Sequence, residues 1–271
     1  MAEEEKAPDR PVAADLPEIV RRVRARTPAR ILSGRAGAAY RTTTQLELRE
    51  AHAAARDAVR AEMDLEAALG ASFVREWQLF EVATEARSKQ EFLLEPERGR
   101  RLCEEARRDI ARRCSSGADL QIAIGDGLSV TAIAAQVPAL LPLLAAAARQ
   151  RGWRVGQPFV IRYCRVGVLN QIGEILGPQV AVLLIGERPG LATAESLSAY
   201  MAYCPHAGHT DADRNLVSNI HKRGLSSAAA AERIMDLAGE IRRLGTSGCG
   251  LSGSGPGTPR IDNRAGGSEN E

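Results

Sequence analysis

Residues 180–185, VAVLLI, are an unbroken apolar and largely β-branched run, set off by Gly177-Pro178 in front and Gly186-Glu187-Arg188-Pro189-Gly190 behind. The run is short for a helix and too apolar for a strand with one wet face. It therefore reads as a central parallel strand, buried on both sides. The flanking glycines permit a sharp turn and Pro189 stops the strand. In an open α/β sheet, ligands bind beyond the carboxyl ends of such strands. Glu187 stands at that position. The plainer reading is that a Gly-Glu pair turns the chain and solvates a sheet edge, since fold alone reports function weakly.

Strand-like and helix-like segments alternate on both sides of this run. LQIAI (120–124) is followed by Gly125-Asp126-Gly127 and an alanine-rich helical stretch, 129–151, interrupted by Pro138 and Pro142. That layout points a helix N-terminus at a ligand. FVIRYC (159–164) reads as a strand, 168–176 as a short helix, 193–203 as a helix and 204–213 as a polar loop. LVSNI (216–220) reads as a last strand. Ser226 or Ser227 caps a final helix that Gly245 stops, with Ala230, Ile234, Leu237, Ile241 and Leu244 on one face. Before residue 118 the patterning is helical: 16–26, then a helix capped near Thr44 with Glu47 in a capping box and running to about 69, then 73–86 and 102–113. The whole predicts an α/β protein with a helical N-terminal arm (16–117) and a Rossmann-like domain with a mainly parallel sheet (118–245). Polar segments at 1–15 and 246–271 are expected to be disordered.

A chain of 271 residues can bury a substantial core, and with aromatics at 4% that core must be aliphatic and alanine-rich. Lys6, Lys89 and Lys222 are the only lysines, so the basic residues are nearly all arginine, yet the formal net charge is only +2. Arginine excess without net basicity does not by itself indicate nucleic acid. The cysteines, Cys103, Cys114, Cys164, Cys204 and Cys249, are odd in number and lack a CxxC pair, which fits a reducing compartment. The acidic N-terminus lacks a signal-peptide core, and no apolar run is expected to approach the roughly 20 residues of a membrane span.

Few motifs carry chemistry. Gly248, Gly250 and Gly253 spell GxGxxG but follow a helix and open none, so the phosphate-binding mechanics are missing. Cys204, His206, His209, Asp211 and Asp213 are metal-ligand types on one loop. A solvated polar loop collects the same residues, and no metal site is expected. His221 reads as a hydrogen-bonded structural histidine rather than a general base. No nucleophile, base and orienting acid occur together, so no catalytic residue is assigned.

The segments GRAGAAYRTTTQLELREAHAAARDAV (34–59), SKQEFLLEPERGRRL (88–102), DLQIAIGDGLS (119–129), RVGVLNQIGEILG (165–177), VAVLLIGERPGL (180–191) and SNIHKRGL (218–225) occur in this order. Together they resemble the small (light) subunit of ethanolamine ammonia-lyase, over roughly residues 27–245. The resemblance implies an adenosylcobalamin-dependent lyase that converts ethanolamine to acetaldehyde and ammonia. The corrinoid would lie between this chain and a large subunit that carries the substrate pocket. It would keep its own lower base, and the chain indeed has no Asp-x-His-x-x-Gly string. Carried over position by position, the small subunit's corrinoid contacts fall on Val166, Glu187 and Leu216. Leu216 departs from the family, which often has cysteine there. The implied setting is the cytoplasm, inside or outside a bacterial microcompartment. The rival class is a self-contained α/β binding or regulatory module that contacts nucleic acid through arginine-rich helices.

Overall fold

The structure, a computed structural model, describes residues 17–27 and 31–252. The segments 1–15 and 253–271, expected to be disordered, lie outside the described residues. The chain divides into two compact units, residues 1–52 and 53–271.

The first unit holds α1 (Glu18–Ala25), the two-stranded hairpin β1 (Arg35–Ala36) and β2 (Ala39–Tyr40), and the start of α2 (Thr42–Arg60). The helix begins at Thr42, ahead of the expected Thr44 cap, and the Thr44 hydroxyl donates to the Ser33 carbonyl at 3.2 Å. No described residue before Ala58 is buried, and Ile19, Leu32, Tyr40 and Leu46 stand exposed.

In the second unit, α2 ends at Arg60 rather than near residue 69. Asp64 starts a new helix, α3 (Leu65–Leu69), by accepting from the Ala67 N–H at 2.9 Å. There follow α4 (Ala71–Glu76), β3 (Glu81–Ala83), α5 (Lys89–Leu94), α6 (Glu104–Arg113), β4 (Leu120–Gly125), α7 (Val130–Gln150), β5 (Phe159–Arg162), α8 (Val168–Leu176) and β6 (Val180–Gly186). Next come β7 (Leu197–Tyr203), β8 (Asn215–Ile220), α9 (Ser227–Leu244) and α10 (Cys249–Ser252). One six-stranded sheet runs in the order β3-β5-β4-β6-β7-β8. The first four in that order are parallel, and β7 and β8 are antiparallel.

The expected neighbours pair in register, Leu120 with Val180 through Gly125 with Ile185. Every residue of β4 and β6 is buried because both faces are covered. Ile122, Ile124, Val182 and Leu184 meet Ile133, Val137 and Leu144 of α7 and Ile234 and Ile241 of α9. Ala123, Phe159, Leu183 and Ile185 meet Ile110 of α6 and Leu169 and Ile172 of α8. Each such aliphatic side chain contributes roughly 1.5–3 kcal/mol.

Other expectations change as well. The mainly parallel α/β sheet is present, and residues 53–117 fall in the same compact unit; the stretch 73–86 is not one helix, since α4 ends at Glu76 and Glu81–Ala83 forms β3, an edge strand of the sheet. The stretch 193–203 is not a helix: its residues Leu197–Tyr203 form β7, which pairs along the whole of β6. Helix α7, 21 residues, has the length and composition of a membrane span. Half of it is buried against the sheet and α9, so it serves as a core helix.

Residues 246–252, grouped with the polar tail on composition, pack against the sheet. The Ser247 hydroxyl donates to the Asp213 carbonyl at 2.5 Å and accepts from the Tyr203 N–H at 3.0 Å. The Gly248 N–H donates to Asn215 Oδ1 at 2.7 Å. Polar composition gives no burial signal, yet it supplies these bonds.

Gly173 of α8 faces the loop after β7, where an added Cβ would lie 1.7 Å from the Pro205 carbonyl oxygen. Gly173→Ala gains about 1 kcal/mol of helix propensity. It loses more to overpacking against backbone, which costs about 1–3 kcal/mol and more where the chain must move. A lowered denaturation midpoint is expected, and an unchanged one would show that the loop yields freely.

Candidate functional site

The carboxyl ends of β4 and β6 meet backbone on backbone. Gly127 has φ +56°, and a Cβ on it would lie 2.3 Å from the Gly186 oxygen. A Cβ on Gly186 would lie 2.1 Å from the Ser129 oxygen. The Leu128 N–H donates to Gly186 O at 3.1 Å, which locks the two turns together. The start of α7, expected to face a ligand, is instead covered by the chain's own loop. Ser129 caps the helix and donates to Ala194 O at 2.5 Å, and Gln136 donates to Glu195 O at 3.2 Å.

Beside these turns opens a cavity of about 390 Å³. Gly127, Leu128 and Cys164–Val166 form one side. The other is the ribbon β7–β8, where Ser198, Tyr200, Leu216 and Ser218 line the cavity. Helix α9 packs against these strands from the opposite face. On the cavity face Leu216 is 46% exposed. The three positions singled out in the sequence, Val166, Glu187 and Leu216, all line this one cavity although each belongs to a different segment.

Glu187 is the best-placed polar group. Its N–H donates to Ser196 O at 3.0 Å. Its Oε1 accepts from the Ser198 hydroxyl at 2.7 Å and from the Asn219 N–H at 2.9 Å. It therefore straps β6 to both antiparallel strands. Among the described residues it pairs with no arginine, and Oε2 has no hydrogen-bond partner. That leaves one acceptor oxygen on a residue lining the cavity. Ser198 and Asn219 were not singled out in the sequence. Alternation on β7 is the signal that would have placed Ser198 beside Tyr200. Burial, then the nearby Asp211 and Glu187 carboxylates, raise the Tyr200 phenol above its usual range, so it is a neutral donor.

Asn219 occupies a left-handed conformation at φ +62°. Its Oδ1 lies 2.7 Å from His221 Nε2, and the Arg223 N–H donates to His221 Nδ1 at 3.3 Å. These bonds assign the proton to Nε2 and make His221, as read from sequence, a buried structural histidine. On the 204–213 loop, Asp213 accepts from Thr210 and Asp211 pairs with Arg214, while the His206 and His209 rings lie 3.8 Å apart between centroids. Among the described residues, no three or more His, Cys, Asp or Glu side chains are placed so that they could hold a metal ion together.

A larger cavity, about 750 Å³, opens beside β3. Two of its arginines are paired, Arg162 with Glu81 at 2.7 Å and Arg98 with Glu91 at 3.3 Å. It receives none of the three positions, so the smaller cavity is the better candidate.

Residues 17–252 match the family described as "Ethanolamine ammonia-lyase light chain (EutC)". The chain is also 41% identical over 215 residues to a Clostridium perfringens protein named "Ethanolamine ammonia-lyase small subunit", covering 79% of this chain and 71% of that one.

Proposed function

The chain belongs to the ethanolamine ammonia-lyase light chain family, and from that premise we propose that it is the small subunit of a two-subunit, adenosylcobalamin-dependent ethanolamine ammonia-lyase. The carrying observation is the convergence of Val166, Glu187 and Leu216 on one cavity at the strand ends. The residues suit a corrinoid edge. Val166 and Leu216 offer apolar contact, Glu187 Oε2 can accept from a peripheral amide, and Tyr200 and Ser218 can donate to one. A whole corrinoid is far larger than 390 Å³, so this pocket would grip one side and leave the rest to the large subunit. Of the early aromatics that the sequence offers to a partner, Tyr40, Trp77, Phe80 and Phe92, only Tyr40 is exposed, and together with Leu46, expected to point inward but exposed as well, it fits that need; Phe80 and Phe92 are buried in this chain's own core.

When bound, adenosylcobalamin supplies the radical chemistry by which ethanolamine loses ammonia to give acetaldehyde. The residues of this chain bind and orient, and the substrate pocket belongs to the partner. No residue here is assigned a catalytic role. The setting remains the cytoplasm, inside or outside a microcompartment. The nucleic-acid alternative has no specific observation in its favour among the described residues.

Co-expression with a large subunit tests this reading. A complex that co-purifies, retains added cobalamin through gel filtration and shows corrinoid absorption in the visible is expected. A stable complex without cobalamin affinity would sink the corrinoid role, and a salt-sensitive complex of the lone chain with DNA would favour the rival.

A further inference from the structure

The segment 88–102 carries much of the family resemblance, yet none of its residues lines the cavity. Several instead converge on the turn at 163–166 that delivers Val166. Tyr163 there is a non-glycine residue at φ +57°, a conformation that persists only where the surroundings enforce it. The enforcement comes from separate parts of the chain. Thr84 donates its hydroxyl to Tyr163 O at 2.9 Å, and the Arg165 N–H donates to Gly99 O at 2.7 Å. A Cβ on Gly99 would lie 2.7 Å from Arg165 Cγ, so that close approach needs glycine. Arg165 also donates to Phe92 O at 3.2 Å, and its guanidinium carbon lies 4.3 Å from the Phe92 ring centroid.

At the middle of the clamp is Asp126, whose side chain is 0% exposed. Its Oδ1 accepts from the Cys164 N–H at 2.8 Å. Its Oδ2 has no hydrogen-bond partner and lies 3.9 Å from Nζ of Lys89, itself 7% exposed. At that separation the two charges attract without sharing a hydrogen bond. Burial raises the Asp126 carboxyl from its usual range, against the pull of Lys89 and of the Cys164, Tyr163 and Gly127 N–H groups. A buried carboxylate with one oxygen left without a hydrogen bond is costly to keep, and Asp126 is not among the residues that line the cavity.

We infer that Asp126 is a positioning residue for the pocket: through the Cys164 N–H it holds the strained turn that presents Val166 at the rim, with Lys89 as its counter-ion. This rests on the corrinoid reading above. Asp126→Ala removes the acceptor and frees the turn, and Asp126→Asn keeps it. Asp119→Ala is the control. Asp119 is a carboxylate beside the opposite end of β4, where it accepts from the Arg154 N–H at 2.7 Å and from Arg242 at 2.8 Å, away from the cavity.

The test is cobalamin titration of the two-subunit complex, with melting temperatures measured in parallel. Asp126→Ala should lose about tenfold or more in affinity. Asp126→Asn should stay near the parent, and Asp119→Ala should melt lower at parental affinity. Where the alanine variant does not assemble, Asp126→Ser, whose oxygen falls short of the Cys164 N–H, replaces it with the same expectation. Parental affinity in the variant lacking the acceptor, or an equal loss in Asp119→Ala, overturns the inference. A parent complex that binds no cobalamin overturns the corrinoid reading itself, and this inference with it.

Discussion

Glu187→Ala is expected to weaken cobalamin binding by the two-subunit complex about five- to more than a hundred-fold, corresponding to roughly 1–3 kcal/mol for donors left unpaired. It should also lower the melting temperature. The structure separates these losses because the two carboxylate oxygens differ in their work. Oε1 is engaged by Ser198 and Asn219, and its removal leaves the N–H of a left-handed residue without its partner. Oε2 has no partner among the described residues and is the oxygen available to the ligand. Glutamine resolves them. Its single acceptor can keep both strap bonds, so Glu187→Gln should melt near the parent. Its amide then offers a donor where Oε2 offered an acceptor, and a corrin amide can turn its carbonyl to meet it. The affinity loss should therefore be smaller than that of alanine. A purely structural Glu187 predicts a lower melting temperature for alanine with unchanged affinity in the surviving complex. Titration and melting of the same preparations decide between the two.

Gly127→Ala should cost stability on a larger scale, about 2–5 kcal/mol, combining left-handed strain with overpacking. The φ of +56° disfavours any L side chain, and the added methyl would meet the Gly186 carbonyl and Ile185 Cγ1 at 2.3 and 2.7 Å. Neither can withdraw, because Gly186 is itself pressed against Ser129 O and Ile185 is a core residue of β6. Loss of soluble complex, or a denaturation midpoint far below the parent, is the expected result. A soluble variant with the parental midpoint would show that the two turns are not in the contact described.

The sequence was most legible where burial leaves few choices. VAVLLI and LQIAI could satisfy their apolar character on both sides only as central strands, and they pair in parallel. Helix α8 was bounded by glycines, and its limits agree with the reading, Val168–Leu176. The antiparallel strand β7 was not legible. Ser, Ala, Tyr and Met in LSAYMAY suit a helix as well as a strand, Thr193 and Ser196 resemble cap residues, and pairing along β6 decides the matter. Glu81-Val82-Ala83 is too short for periodicity to speak, so the strand that ties residues 53–117 into the sheet's unit was hidden. At the site, Val166, Glu187 and Leu216 were named through family resemblance and found together. The roles of Ser198, Asn219 and Asp126 needed distances, because no local pattern tells a clamped turn from a free one.

The two sides of the cavity differ in how freely they can change. One is backbone against backbone, Gly127 on Gly186 and Gly186 on Ser129, and nearly any side chain added there collides with a carbonyl. The other is a two-stranded ribbon whose Ser198, Tyr200, Leu216 and Ser218 side chains meet the cavity. Sequence drift that retunes the pocket must therefore accumulate on the ribbon while the glycine side stands still. Leu216 lies on the side where a changed side chain meets open space rather than a carbonyl.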